Sequence, residues 1–120
     1  MRIPISILSL AGAVALAPAA PAFAHAHVVS STPAANAIVA APRQVSITFN
    51  EKLVPAFSKV EISMAGMKMD VPVKTAFSTD GKTVVATPQG AFMKGAYVIN
   101  WSAASVDGHK TKGSIPFKIK

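Results

Sequence analysis

From Val28 to the C-terminus the chain is written in short runs of period two, each closed by turn-forming residues. That pattern leaves little besides a β fold. Val45, Ile47 and Phe49 alternate with Ser46 and Thr48, and Val60, Ile62 and Met64 alternate with Glu61 and Ser63. Ile115, Phe117 and Ile119 alternate with Pro116 and Lys118. Thr83 to Thr87 and Tyr97 to Trp101 are β-branched and aromatic runs that follow the turns Asp80-Gly81 and Lys94-Gly95. Val28-Val29 precedes the breaker Ser30-Ser31-Thr32-Pro33, while Val71 and Val73 are split by Pro72. A proline cannot donate to a ladder, so that pair is expected at a sheet edge. No stretch has a convincing helical period. About seven strands in under a hundred residues predict an all-β antiparallel sandwich, with Trp101 and Phe117 as core anchors.

The first residues are of another kind. Met1-Arg2 is a short basic start, and the Ala-rich apolar run to Ala20 is broken by Pro4 and Pro18. Ala22-Phe23-Ala24 then supplies the small-x-small pattern that signal peptidase reads. Residues 1–24 are therefore expected to be a cleaved signal peptide, and residues 25–120 the single mature domain. A retained membrane anchor fits less well, because the run is barely long enough to span. No second run of spanning length follows, so the mature protein is expected not to be membrane-embedded.

Charge and cysteine narrow the function. The chain carries 12 basic and 5 acidic residues, and all but Arg2 of these lie after residue 24. The lysines are scattered singly, without interleaved aromatics, and an exported chain is out of reach of most nucleic acid. The excess charge reads as a solubilising surface, with no nucleic-acid partner expected. Cysteine is absent. A metal could be held only by His, carboxylate, Met or the chain terminus.

Cleavage after Ala24 would make His25 the first mature residue. An N-terminal histidine offers its α-amine and its imidazole to one ion, and nitrogen donors in a tetragonal plane suit Cu(II). The run Ser105-Val106-Asp107-Gly108-His109 holds the complement. Asp107 and His109 are two apart, so in an extended segment they project from one face. Read alone, Asp-Gly is a plain turn more often than a metal site. An exported chain that begins with histidine changes that weighting, toward three nitrogens and one oxygen from His25, Asp107 and His109. A rival is local: the amine, two backbone amides and the imidazole of His27 could wrap copper without Asp107 or His109. The site that spans the sandwich is favoured, since it leaves the first strand's backbone hydrogen bonds intact.

The mature chain resembles the periplasmic copper-resistance proteins of the CopC/PcoC type along essentially its full length. His25-Ala26-His27, Ser30-Ser31-Thr32-Pro33-Ala34 and Ile47-Thr48-Phe49-Asn50-Glu51-Lys52-Leu53 carry the likeness. So do Gly95-Ala96-Tyr97, Trp101-Ser102-Ala103, Ser105 to Lys110 and Gly113-Ser114-Ile115-Pro116-Phe117. The resemblance implies an immunoglobulin-like Greek-key β-sandwich or barrel that binds and delivers periplasmic copper in homeostasis, transport and resistance. It matches His25, Asp107 and His109 to Cu(II) ligands, and Glu51 to a glutamate that some members place at or beside the metal. Glu51 reads equally well as an exposed carboxylate at a strand end. A CopD-like copper importer of the inner membrane, or other copper-handling proteins, are the implied partners.

Ile62-Ser63-Met64-Ala65-Gly66-Met67-Lys68-Met69 resembles the methionine-rich segment with which some members take Cu(I). If Ala65-Gly66 were a two-residue hairpin turn, Met64 would face Met67, and Met69 would join them. The segment is short and lacks histidine, so core packing or a partial Cu(I) site is expected over a full one. Met93 carries no assignment. No enzyme activity is expected. A copper oxygenase resembling the polysaccharide monooxygenases is the alternative, but Asp107 would fill a position that oxygen chemistry needs open.

Overall fold

The computed structural model describes residues 25–120 apart from 68 and 91; the expected signal peptide lies outside the described residues. Among the described residues, nine strands form two sheets: β1 (Val28–Thr32), β2 (Ile38–Val39), β3 (Val45–Phe49), β4 (Lys59–Met64), β5 (Asp70–Val71), β6 (Val73–Phe77), β7 (Thr83–Pro88), β8 (Gly95–Ala104) and β9 (Lys110–Ile119). One sheet runs β1-β3-β7-β6 and the other β2-β9-β8-β4-β5. The chain passes between sheets after β1, β2, β3, β5 and β7, so the hairpins β4–β5, β6–β7 and β8–β9 are joined to non-neighbours through β1–β3, β3–β7 and β4–β8, as a Greek-key sandwich requires.

The period-two runs face inward as read. Val45, Ile47 and Phe49 are buried on β3, and Ile62, Ile99 and Phe117 meet them from the other sheet. Alternation puts every second side chain on one face, and that face is removed from water when the sheets stack. Phe117 stacks on Tyr97 at 5.6 Å between ring centroids.

Three points differ from the sequence reading. Val71 and Val73 are not one interrupted strand, because Pro72 is where the chain leaves one sheet for the other. β5 is the edge of the five-stranded sheet and β6 the edge of the four-stranded one, so the expected edge position holds for both valines. The missing N–H explains why no ladder continues through that position. The two-residue β2 lies parallel to β9, the one parallel pairing among the described strands.

The third difference is Trp101, which is only partly buried. Its indole lies on the inner face, edge-on to Phe49 at 5.1 Å, and crosses its β9 partner Gly113. A Cβ on Gly113 would come within 2.6 Å of that ring. Gly113→Val should therefore cost about 1–3 kcal/mol, because overpacking forces the ring or the strand to move. Urea unfolding followed by Trp101 fluorescence measures this; an unchanged midpoint would mean that the indole moves aside freely.

Candidate metal centre

Three segments meet at one end of the sandwich. The first is the stretch ahead of β1. Ala26 is buried to 1 % exposure, its methyl in the core. Its carbonyl accepts a hydrogen bond of 2.6 Å from the Thr111 hydroxyl on β9. The His27 amide donates to Asn50 Oδ1 at 2.7 Å, and the Asn50 amide donates back to the His27 carbonyl at 3.1 Å. The backbone of residues 26 and 27 is thus held from both sheets, while the side chains of His25 and His27 stand exposed.

The second segment follows β3. Glu51 is half-buried between Asn50, which holds His27, and Lys52-Leu53, which meet the third segment. Leu53 bridges to Ser105, and the Val106 amide donates to the Lys52 carbonyl.

The third segment is the loop between β8 and β9. The Ser105 amide donates to the His109 carbonyl at 2.9 Å and the Gly108 amide to the Ser105 carbonyl at 3.0 Å, closing a tight turn. Gly108 has φ +92°, a region where a side chain is strained. Asp107 organises the turn as well as the histidine. Its Oδ1 accepts from the Ser105 hydroxyl and, at 3.1 Å, from the His109 amide. Its Oδ2 lies 3.0 Å from His109 Nδ1. These donors, Ser105 first and the His109 amide second, hold the Asp107 carboxyl down at about 2. A carboxylate oxygen can only accept, so Nδ1 carries the hydrogen and Nε2 keeps its lone pair for another partner.

The rings of His25 and His109 lie 4.6 Å apart, nearly perpendicular at 86°. The structure therefore brings His25 to His109 and Asp107 to His109. Among the described residues, no group of three or more His, Asp or Glu side chains is gathered around one point that could hold a metal. Asp107 is turned onto the His109 ring, and Glu51 is half-buried in the segment after β3, between Asn50 and Lys52.

Thr111 carried no signal in the sequence, since a threonine within Lys110-Thr111-Lys112 reads as solvent-facing strand. Asn50 and Ser105 were visible only as parts of longer motifs. Thr111 and Asn50 bind backbone that only the folded chain brings to them, whereas Ser105 binds Asp107 within its own turn.

The methionines are rearranged from the expected turn. Ile62 pairs with Val71 and Ser63 with Asp70, so Met64 lies opposite Met69, with Met64 N–H to Met69 carbonyl at 3.1 Å. Met67 closes the turn onto Met64 through its own amide at 3.2 Å, with Gly66 at φ +77°. It sits in the loop, exposed, because the ladder register and not the Ala65-Gly66 pair sets what faces what. Met64, Met69 and Met93 line one cavity of about 250 Å³ with Tyr97.

A family model described as the CopC domain matches residues 28–120. The chain belongs to the CopC family. Asp107 and His109 fall inside that match, and His25 lies just ahead of it. Copper resistance protein C of Xanthomonas campestris pv. juglandis is 41% identical over a 107-residue alignment, covering 84% of each chain. PcoC, described as a methionine-rich copper resistance protein from Escherichia coli, is 36% identical; the match covers 80% of this chain and 99% of that one, with a TM-score of 0.74. Copper transport protein CutJ of Bacillus subtilis is 35% identical over 100 aligned residues, which cover 81% of this chain and 18% of CutJ. CopC-type relatives are thus named for copper resistance and transport. Among the described residues, no helix is long and apolar enough to cross a membrane.

Proposed function

We propose that this CopC-family chain is a periplasmic copper carrier or buffer that holds one Cu(II) ion with the amine and imidazole of His25 after removal of residues 1–24. The observation that carries this is the approach of His25 to His109, 4.6 Å between rings drawn from opposite ends of the domain. His109 presents Nε2 because Asp107 occupies Nδ1, an arrangement that fixes a metal-binding imidazole in orientation and tautomer. Two imidazoles and an amine are a donor set suited to Cu(II). Asp107 serves as an oxygen donor or as the group that aims His109, and Glu51, which follows the Asn50 that holds His27, is the candidate to join it.

The side chains of His25, Asp107 and His109 all reach the surface. Cargo can enter and leave such a site without the sandwich opening, as a carrier needs. The CutJ likeness, in which a domain of this kind forms a small part of a copper transport protein, supports hand-off to an inner-membrane importer of the CopD kind. An oxygenase is the less favoured reading, because an ionised Asp107 at the metal would take up a position that oxygen needs.

Isothermal titration of the processed protein, beginning at His25, should give one Cu(II) per chain. No saturable binding would end the proposal, and ascorbate-driven peroxide production well above that of free copper would turn it toward the oxygenase.

Soft Cu(I), if taken up at all, belongs with the thioethers, where Met93 stands in the cavity that Met67 does not line. Replacing Met64, Met67 and Met69 together by Leu should leave Cu(II) affinity within about threefold, since thioethers contribute nothing to a nitrogen and oxygen site. A large loss, with the strand content intact by circular dichroism, would place the Cu(II) site at the wrong end of the sandwich.

A further inference from the structure

The N-terminus His25-Ala26-His27 contains two ways of holding Cu(II), and both begin with the same amine. One spans the sandwich to His109. The other is local: amine, the amide nitrogens of residues 26 and 27, and the His27 imidazole in one square plane. Nothing in the covalent chain prevents the local mode, because three consecutive residues supply every donor. We infer that Asn50 and Thr111 form a clamp that holds the N-terminal backbone in the spanning mode and denies copper the local one. The inference rests on the proposed Cu(II) site and adds the residues that select it.

Three restraints act on three consecutive groups. The Ala26 methyl is packed in the core at 1 % exposure. The Ala26 carbonyl is tied to Thr111 Oγ1 at 2.6 Å. The His27 amide nitrogen points its hydrogen at Asn50 Oδ1, 2.7 Å away. A local chelate needs that nitrogen turned toward the metal, in plane with the amine and the amide of residue 26. Turning it breaks the Asn50 bond, rotates the Ala26 carbonyl away from Thr111 and lifts the methyl out of the core.

Asn50 suits this task in a way that a plain strand residue does not. Its backbone amide pairs with the His27 carbonyl in the manner of a ladder, while its side-chain oxygen receives the His27 amide. One residue thereby occupies both main-chain groups of His27. Thr111 does the corresponding work from the other sheet. With the backbone clamped, the His25 ring is the group left free to swing, and it meets His109. Asn50 and Thr111 are positioning residues; neither supplies a donor to the ion.

The test is paramagnetic resonance and Cu(II) affinity on exported, processed protein. The variants are wild type, Asn50→Ala and Thr111→Val, each alone and combined with His109→Ala or His27→Ala. In wild type, loss of His109 should change the spectrum and lower affinity by about 100-fold, the scale on which a donor and its supports act. In Asn50→Ala and Thr111→Val the spectrum should become that of a four-nitrogen plane. There, loss of His109 should cost less than about threefold, and loss of His27 should remove the four-nitrogen spectrum and return that of the spanning site. Thr111→Ser, which keeps the hydroxyl, should restore the wild-type spectrum. Urea midpoints and circular dichroism identify any variant that has lost its fold, and Thr111→Val, close in shape to the native residue, carries the test if Asn50→Ala does not fold. His109-dependent spectra in wild type and in both variants would overturn the clamp and leave the spanning site standing. A wild-type spectrum that depends on His27 and ignores His109 would overturn both.

Discussion

Protein carrying one glycine ahead of His25 should bind Cu(II) about 10²–10⁴-fold more weakly than protein that begins at His25. The added residue converts the α-amine into an amide, which is no donor until it loses its proton, and so removes one chelate ring. A donor tethered beside another acts at a high effective concentration, and that advantage is what the ring supplies. The His25 imidazole remains, so the fold and the approach to His109 are untouched: Ala26 keeps its place in the core and on Thr111. Titration against a competing chelator measures the loss. Equal affinity in the two proteins would mean that the copper sits elsewhere, on His109, Asp107 and Glu51 without the terminus. This result bears on the amine alone, since both modes available to the N-terminus use it.

The second large effect is expected at the loop between β8 and β9. His109→Ala should lower Cu(II) affinity by about 100-fold or more in the otherwise wild-type protein, whose N-terminus is clamped, and Asp107→Asn by about 10–100-fold. The asymmetry follows from what each supplies. His109 offers a ring nitrogen that nothing else at this end replaces, whereas asparagine can still accept from the His109 ring while losing the charge. The acid dependence separates these contributions further. Asp107 is held at about 2, chiefly by the Ser105 hydroxyl and then by the His109 amide. A carboxyl depressed in the folded state favours folding above its ordinary value of about 3.9 and loses that contribution as the pH falls toward 2. Over the range from neutrality to about pH 4 it stays ionised, so protons that release copper there go to nitrogen. The number of protons taken up on release, read from the steepness of loading against pH, should therefore be the same for wild type and Asp107→Asn. A shallower curve in the variant would show that the carboxylate itself titrates with release.

What the sequence alone determined is local in origin. Period-two alternation is written within five or six residues, and it pointed to the inward positions on β3, β4 and β9 before any pairing was known. The chemistry of the site was legible for a similar reason. A histidine expected at the mature N-terminus, together with Asp107 and His109 in one short loop, reads as candidate metal-binding material without any fold, and the family likeness links the two segments. The tertiary structure decided everything that depends on which strand lies beside which. Pro72 became a crossing between sheets, not a break within one strand, because β5 and β6 found partners on opposite sides. Met64 came to face Met69, since ladder register is set over the whole β4–β5 hairpin and not by the two residues at its tip. Trp101 stayed partly exposed because its partner across the ladder is a glycine. Thr111 and Asn50 acquired their grip on the N-terminus only through contacts that bring β9 and the end of β3 to Ala26 and His27. Such contacts join residues far apart in the chain, and no periodicity within a single segment can encode them.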